Sequence, residues 1–376
     1  IITAYLTGGV VILGFIAFIL AGVSSAIAAL FLYPAGLFID LILVVVEYMK
    51  LLPGAYIWAA TPSTWVVILY YLALLVGLKG ISCSNWRWAR GGMGVILLII
   101  VSFYIPPSWY NRGQMEVVFI DVGQGDSILL KTPQGKFILI DGGGSQFYDV
   151  GSLKVLSYLH HRGINHLYMM INSHPDVDHF QGLETVFKET PAKFVMIPAG
   201  LDKAHEYNSL KLFARESRIP VIPLHQGQVI NPEKDFTINV LMPDAAGYEQ
   251  NNFNNKSLVL RISYGNFSVL FTGDIEEEAI NDLLSNTNLT HTTIVKVPHH
   301  GSKNSAVADL YEQTDPDYAV FSVGRNNNFG HPHPSVLKII ENRGIKVLRT
   351  DMDGAIRFLT DGNKLEVSNF RNFVRH

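Results

Sequence analysis

A long uncharged run constrains the fold of this chain more than any other feature. No charged side chain occurs in the 23 positions of Val10–Leu32. An α-helix rises about 1.5 Å per residue, so this run is long enough to cross the hydrocarbon core of a bilayer, which is about 30 Å thick. Apolar runs of about 18 residues or more indicate a transmembrane helix rather than a buried helix of a soluble protein. The sequence therefore predicts that the N-terminal part of the chain lies in a membrane.

Three more apolar segments follow, at Leu37–Ile57, Thr64–Leu78 and Gly94–Ile105. The first contains charged residues and a proline, and we expect it to line the interior of a helix bundle or to lie in the interface, because charges inside a membrane seldom face lipid. The second predicts a further span, and the third is short for one. The sequence does not begin with methionine, and its first residues already belong to an apolar stretch. We therefore expect a fragment of a longer polytopic protein rather than a signal peptide.

Basic residues lie between the last two of these segments, at Lys79, Arg87 and Arg90. Basic residues favour the cytoplasmic side of a membrane. If Gly94–Ile105 then crosses the bilayer, everything after Tyr110 lies on the outer side. We therefore expect a multi-pass protein of the cytoplasmic (inner) membrane whose polar part faces outward.

The charged residues are distributed unevenly along the chain. Six lie in the first 110 residues, and the other 266 residues carry 25 basic and 30 acidic side chains. This division predicts transmembrane helices over residues 1–110 and a globular domain over residues 111–376. The acidic balance of the second part argues against a nucleic-acid binder that relies on a basic surface. The single cysteine, Cys83, excludes an intrachain disulfide.

Short strands and helices alternate from Met115 onward. Three β-rich runs come first, and a second β-rich stretch begins at Phe236–Met242. Each of the two halves thus starts with a meander and continues with helices and strands. The pattern predicts two central sheets flanked by helices, which is a four-layer αββα sandwich.

The strongest chemical signal is the loop Ser173–His179, which directly follows a predicted strand, His166–Ile171. Four side chains that can bind metal occur within six positions of this loop: His174, Asp176, Asp178 and His179. Side chains grouped at the end of a strand can converge on one point, so we expect a metal site. The alternative is a polar loop in which Asp and His cap the next helix.

Three later segments also present polar side chains after strands or turns. They contribute Asp274, the pair His299 and His300 with nearby Ser302, and the pair His331 and His333. Asp274 could bridge two cations or cap the following helix. The adjacent His299 and His300 point apart, so we expect at most one of them to bind the same metal. We expect His300 and His331 to be ligands, with His299 and His333 as second choices. The alternative for each histidine pair is an ordinary surface loop.

Together these segments resemble the metallo-β-lactamase superfamily, whose hallmark is an HxHxDH loop followed by a distal Asp and His. The details resemble a narrower group, the C-terminal domain of ComEC-type DNA-internalisation competence proteins. The matching blocks appear in the family's order: Phe119–Ser127, Ile140–Gly144, Asn255–Leu260, Thr272–Asp274, His299–Ser302 and Gly330–Pro332. The apolar leader is similar to the end of that family's channel domain.

The resemblance implies a divalent metal centre, with two ions, in an α/β metallo-β-lactamase fold. It assigns as ligands His174, Asp176, Asp178, His179, Asp274, His300 and His331. Asp176 stands where the superfamily pattern has a second histidine, and the extra carboxylate shifts the preference from Zn²⁺ toward Mn²⁺ or Mg²⁺. Asp178 would also take part in catalysis. Catalytic contacts with a phosphate or its leaving group would come from His299, Ser302 or His333.

The function that the resemblance implies is DNA uptake during natural transformation. The domain would be a metal-dependent deoxyribonuclease at the mouth of a membrane channel, where one strand is translocated and the complementary strand degraded. Two alternatives stay open: a DNA-binding or gating domain that does not cut, and a membrane-tethered metallo-hydrolase of another ester. The expected partners are DNA, the lipid bilayer, other competence-machinery proteins and further copies of the chain.

Overall fold

The computed structural model describes residues 2–52, 60–83, 85–102, 109, 111–244 and 252–370. Its backbone contacts divide the chain into two compact units, residues 1–58 and 59–376. The first unit is a pair of packed antiparallel helices, α1 (Ile2–Ala21) and α2 (Ser25–Lys50). The second unit begins with another packed helix pair, α3 (Thr64–Ser82) and α4 (Trp86–Ser102), and continues with the β-rich domain.

The helix boundaries correct the predicted spans. Val10–Leu32 is not one helix, because α1 ends at Ala21 and the Ser24 side chain accepts a hydrogen bond from the Ile27 N–H at the start of α2. A turn between apolar helices needs no charged residue, so hydropathy did not reveal it. The second predicted segment therefore starts at Ser25 instead of Leu37. Within the described residues, three helical stretches are long and apolar enough to cross a membrane: Thr3–Ala21, Ser25–Met49 and Thr64–Ser82.

Close backbone contact joins α3 to α4. A Cβ on Gly92 would lie 2.5 Å from the Ala73 carbonyl oxygen, and one on Gly80 would lie 2.5 Å from the Ala89 nitrogen. Only glycine permits backbones to approach so closely. The predicted segment Gly94–Ile105 is the second half of α4, and its last three residues lie outside the described part of the chain. Lys79, Arg87 and Arg90 therefore belong to the helix ends on either side of a short turn.

The described residues of the β-rich domain form two sheets. The first has eight strands in the order β15-β14-β1-β2-β3-β4-β5-β6. Their ranges are β1 (Met115–Phe119), β2 (Ile128–Lys131), β3 (Phe137–Ile140), β4 (Leu167–Ile171), β5 (Ala192–Pro198), β6 (Val221–Leu224), β14 (Ile356–Thr360) and β15 (Leu365–Asn369). The two C-terminal strands thus complete the sheet that β1 begins.

The second sheet has seven strands in the order β13-β12-β11-β10-β9-β8-β7. Their ranges are β7 (Val229–Glu233), β8 (Phe236–Met242), β9 (Val259–Tyr264), β10 (Phe267–Phe271), β11 (Ile294–Lys296), β12 (Tyr318–Phe321) and β13 (Lys346–Arg349). Strands β3 to β6 are parallel in the first sheet, and β10 to β13 are parallel in the second.

Helices cover the outer face of each sheet. Those on the first sheet are α5 (Ser157–His161), α6 (Val177–Glu189) and α7 (Asn208–Glu216). Those on the second are α8 (Glu277–Asn286), α9 (Ala308–Thr314) and α10 (Pro334–Glu341), and a single turn, α11 (Thr350–Asp353), follows β13. A third apolar cluster, including Phe119, Ile140 and Phe271, fills the space between the sheets. The predicted αββα sandwich is confirmed.

Candidate metal centre

The predicted metal loop follows β4, beside the end of its parallel neighbour β3. Asp141, the first residue after β3, accepts hydrogen bonds from the Ser173 N–H at 2.7 Å and from the Ser173 hydroxyl at 2.6 Å. These bonds hold the start of the loop against β3. His174 is fully buried here, and α6 then begins at Val177 and carries Asp178 and His179 in its first turn.

Two histidines from different sheets meet at the centre of this site. The Nδ1 of His179 lies 2.9 Å from Asp141 Oδ2, and the Nδ1 of His300 lies 2.8 Å from the Ser322 carbonyl oxygen. Each Nδ1 therefore carries a proton for its acceptor, which leaves a lone pair on each Nε2 when the ring is neutral. The two Nε2 atoms lie 3.2 Å apart. Histidine ligands of metals are oriented by this kind of outer hydrogen bond.

Two carboxylates complete the group around these nitrogens. Asp274 Oδ2 lies 3.2 Å from the His179 Nε2 and 3.1 Å from the His300 Nε2. Asp178 Oδ2 lies 3.3 Å from the His300 Nε2. A cation with bonds of about 2.0 to 2.1 Å to four tetrahedral ligands would hold them about 3.3 Å apart. The donor atoms of His179, His300 and Asp274 lie 3.1 to 3.2 Å from one another and therefore fit a divalent cation, and Asp178 lies within reach as a further ligand.

A second group of possible ligands lies beside the first. The centroid of the His174 imidazole lies 4.2 Å from that of His179, with the two rings tilted by 47°. Its buried Nε2 has no hydrogen-bond partner among the residues that the structure describes, and Asp176 Oδ2 lies 3.6 Å away. The ring of His331 lies 6.4 Å from that of His300, and its buried Nδ1 also lacks a hydrogen-bond partner within the described part of the chain. Each of these two orphaned nitrogens is therefore a candidate ligand for a cation.

Sequence reasoning missed two buried charges beside the site, Asp126 and Lys296. The Lys296 ammonium lies within ion-pair distance of Asp126 and Asp274 and donates to the Gly273 carbonyl. Asp126 faces the Nδ1 atoms of His300, at 3.6 Å, and of His179, at 3.7 Å. It therefore lies behind the two rings, away from the Nε2 atoms, and acts on the site through charge. Asp126 lies in Phe119–Ser127, one of the blocks that resemble the family, but the spacing of residues along the sequence does not show where its side chain points.

The electrostatics of this group favour bound positive charge. Burial lowers the pKa of His300, but Asp274 and Asp178 outweigh it and raise the pKa to about 9. The same carboxylates raise the pKa of His179 well above its ordinary value, against the effect of burial. Burial raises the pKa of Asp274, but the neighbouring His179, His300 and Lys296 bring it well below its usual range. Protons or a cation must therefore balance the buried carboxylates.

The predicted catalytic residues occupy different surroundings. The His299 Nε2 lies 3.9 Å from Asp274 Oδ2, and burial lowers the pKa of this half-buried ring. The Ser302 hydroxyl instead accepts a hydrogen bond from the Asn304 N–H in its own turn. The His333 Nδ1 caps α10, where it lies 2.7 Å from the Ser335 hydroxyl and accepts from the Ser335 N–H. Of these three residues, the structure brings His299 into contact with the carboxylate group.

Comparison with known families agrees with this fold and site. Residues 120–325, more than half of the chain, match the model of the metallo-beta-lactamase superfamily. The chain belongs to this superfamily. Residues 1–82 match the model of the Competence protein family, so the predicted combination of a competence-protein region and a metallo-beta-lactamase domain is confirmed. The superfamily is one of hydrolase folds that bind divalent metal, which agrees with the buried Asp and His group.

Relatives share this arrangement over most of the chain. The ComE operon protein 3 of Bacillus subtilis is 30% identical over 80% of this chain and 40% of its own length. The Competence protein ComA of Neisseria gonorrhoeae is 28% identical over 80% of this chain and 39% of its own length. The chain thus spans about two fifths of the length of these relatives. Among solved structures, a CmlA beta-hydroxylase mutant is 12% identical, with a TM-score of 0.43 over 72% of this chain and 58% of the other.

Proposed function

We propose that this metallo-beta-lactamase domain is a metal-dependent phosphodiesterase that cleaves DNA. The observation that carries the proposal is the convergence of three donor atoms, from His179, Asp274 and Asp178, within 3.1 to 3.3 Å of the His300 Nε2. The competence-protein match over residues 1–82 and the relatives named as competence and recombination proteins point to DNA as the polymer handled. Together they favour a nuclease in DNA uptake.

The residues of the two groups would have distinct roles in this reaction. His179, His300, Asp274 and Asp178 would hold one cation, and His174 with Asp176 and His331 would hold a second. Bound divalent cations would activate water and neutralise the charge of the phosphate. Asp141 and the Ser322 carbonyl keep the two central imidazoles turned toward the donor group. Asp178, whose side chain is one-third exposed, borders the open side of the site, where a phosphate would enter.

His299 is the best placed residue to contact the substrate. Its ring lies on the same side as Asp274 Oδ2 and is one-fifth exposed, whereas Ser302 and His333 make hydrogen bonds within their own turns. Because burial lowers its pKa, His299 is neutral at pH 7 and can donate an N–H to a non-bridging phosphate oxygen. We expect Ser302 and His333 to shape the loops around the phosphate.

We place the domain on the outer face of the cytoplasmic membrane. The basic residues at the ends of α3 and α4 favour a cytoplasmic turn, so a span by α4 would carry the chain outward before β1. Incoming DNA would meet the domain there, before one strand enters the channel. Other competence-machinery proteins, or further copies of the chain, would be its neighbours.

Cleavage of labelled DNA by the full chain in detergent tests the proposed activity. The chain loaded with Mn²⁺ should cut single- or double-stranded DNA, and chelation of the metal should stop it. Asp178→Asn should lower kcat at least about a hundredfold, since it removes a donor from the central group. Asp317→Asn changes a carboxylate with 57% exposure that lies outside the site, and should leave the rate unchanged.

Two results would contradict the proposal. DNA left intact by a chain that holds its metal would favour the binding or gating alternative. Equal cleavage by wild type and Asp178→Asn would show that the activity does not come from this site.

A further inference from the structure

A column of aromatic rings leads from the metal centre to the surface. The ring of buried His300 is stacked on that of His331, with an angle of 30° between the planes. The ring of His331 is in turn stacked on that of Phe329, with 5.8 Å between centroids and 29° between planes. Phe329 is 68% exposed. The column therefore ends in an aromatic face that is open to solvent.

Hydrogen bonds of one side chain organise the loop that carries this exposed ring. The Asn327 amide donates to the carbonyls of Gly324 and His331, and its oxygen accepts from the N–H groups of Phe329 and His331. The backbone of the loop is thus held by four hydrogen bonds of Asn327, while the Phe329 ring stays exposed. An exposed aromatic ring on such a loop keeps its apolar surface available to a ligand.

A second exposed aromatic pair lies on the neighbouring loop. Phe147 is 94% exposed, and the hydroxyl of half-exposed Tyr148 lies 3.8 Å from where a Cβ on Gly123 would stand. The backbone next to Gly123 in turn contacts Gly324, at the start of the loop that carries Phe329. The two aromatic loops therefore border the same segment, residues 123–126, which leads to the metal centre.

Basic side chains accompany these rings. Arg325 lies in the Phe329 loop, and Lys303 follows the His299–Ser302 turn; both are exposed. Surfaces that bind single-stranded nucleic acid combine such cations, which attract the phosphates, with aromatic rings on which bases stack. Bases in an intact duplex are stacked on one another and do not offer their faces to a protein ring. The surface thus matches the chemistry of an unpaired strand.

We propose that Phe329, assisted by Phe147, is a stacking platform for unpaired bases of a DNA strand whose phosphate docks at the metal centre. This inference rests on the proposed nuclease function and adds its substrate preference: single strands and frayed ends. A base on Phe329 would extend the column that His331 and His300 begin. The neighbouring phosphate would then lie toward the donor group.

Binding measured without metal separates this platform from catalysis. The full chain in detergent with EDTA would be titrated into a fluorescent single-stranded oligonucleotide that contains 2-aminopurine, whose emission is quenched when it stacks. Phe329→Leu should raise Kd at least about fivefold and abolish the quenching, because leucine has no aromatic face. Phe329→Trp should retain both. An oligonucleotide of the same length without bases should bind wild type and Phe329→Leu equally.

Phe370→Leu is the matched control, since Phe370 is a similarly exposed ring on the C-terminal segment after β15. Equal Kd and quenching for wild type and Phe329→Leu would overturn the platform, whether or not the chain cuts DNA. Base-dependent binding without Mn²⁺-dependent cleavage would support the platform and reject the nuclease. If brominated lipids in nanodiscs quench the tryptophan fluorescence that Phe329→Trp adds to that of wild type, residue 329 contacts the membrane and the platform is overturned.

Discussion

At the scale of single residues, the site is an arrangement of buried charges. Asp126, Asp141 and Asp274 are each at most 2% exposed, and Lys296 is the ammonium that pairs with two of them. One cation cannot balance three buried carboxylates, and an unbalanced buried charge is costly. Without metal, protons on His179 and His300, whose pKa values are raised, supply the remaining positive charge, and a divalent cation would replace those protons.

Asp126→Asn should weaken metal binding without removing a ligand. The substitution deletes a negative charge behind the two histidine rings and leaves Lys296 to pair with Asp274 alone. We expect the affinity for Mn²⁺ to fall about 10- to 100-fold, the usual effect of losing an outer-shell partner. Titration of the metal-free chain with Mn²⁺ measures this affinity. Asp361→Asn, in an exposed turn, makes the same change of charge and should leave the affinity as it is; equal losses for both variants would contradict the assignment.

The sequence predicted the contiguous part of the site and missed the part assembled through space. His174, Asp176, Asp178 and His179 lie within six positions, so one strand end was enough to group them. Asp126 lies in the turn before β2 and Lys296 at the end of β11. Their contact depends on how the two sheets pack, which no local pattern encodes. A charged residue inside an otherwise apolar strand, as Lys296 is, was the available signal.

At the scale of elements, the helix pair α3 and α4 depends on two close backbone contacts. Hydropathy predicted α3 from its first residue, but it missed the turn between α1 and α2, because both sides of that turn are equally apolar. It also missed the first half of α4, where arginines interrupt the apolar pattern. Small residues at the contact determine how such helices pack, and mean hydropathy does not report them.

Replacing either of two neighbouring glycines of α4 by alanine should change the Tm of the chain in different directions. A Cβ on Gly92 would overlap the Ala73 carbonyl and the Gly77 backbone, whereas one on Gly91 would have nothing within 4 Å. Gly92→Ala should therefore lower the Tm of the full chain in detergent. Gly91→Ala should keep or raise it, since alanine favours a helix by about 1 kcal/mol over glycine. Equal Tm values for the two variants would contradict the close packing.

One buried carboxylate joins two strands of the first sheet to the end of helix α5. Glu116 on β1 accepts hydrogen bonds from Arg357 on β14 and from Arg162 after α5, the latter at 2.8 Å. Burial alone would raise the pKa of Glu116, but the two guanidinium groups lower it below its usual value. Glu116→Gln leaves both arginines without their counter-ion. We expect the free energy of unfolding at pH 7 to fall by roughly 2 to 4 kcal/mol.

The stability lost in Glu116→Gln should decrease as the pH falls. A carboxyl group with a lowered pKa stabilises the folded state above its unfolded pKa, and that stabilisation disappears as the pH falls through the folded value. The difference in Tm between wild type and Glu116→Gln should thus be full at pH 7 and shrink below about pH 4. Glu366→Gln, on the exposed edge strand β15, is the control and should change Tm little at either pH. A difference that stays constant with pH would contradict the ion pair.

At the scale of the whole molecule, the single cysteine can report the orientation. Cys83 is exposed in the turn between α3 and α4, which we place in the cytoplasm. A membrane-impermeant maleimide should therefore label it in inside-out vesicles and not in intact spheroplasts. Lys364→Cys in a Cys83→Ala background puts the thiol on an exposed turn of the β-rich domain and should give the reverse result. Labelling of Cys83 in intact spheroplasts would contradict the proposed topology.

The pairing of β1 with β14 sets the order in which the domain can be completed. Glu116 and Arg357, which form an ion pair diagonally across these two strands, are 241 positions apart. As the ribosome extends the chain, β1 emerges early, but one of its two edges stays open until nearly all of the domain has been synthesised. Every residue of β1 is buried in the finished sheet, so a nascent chain would expose this apolar strand throughout that interval. Export through the membrane during synthesis would let the first sheet close only after delivery, on the side where the domain is proposed to work.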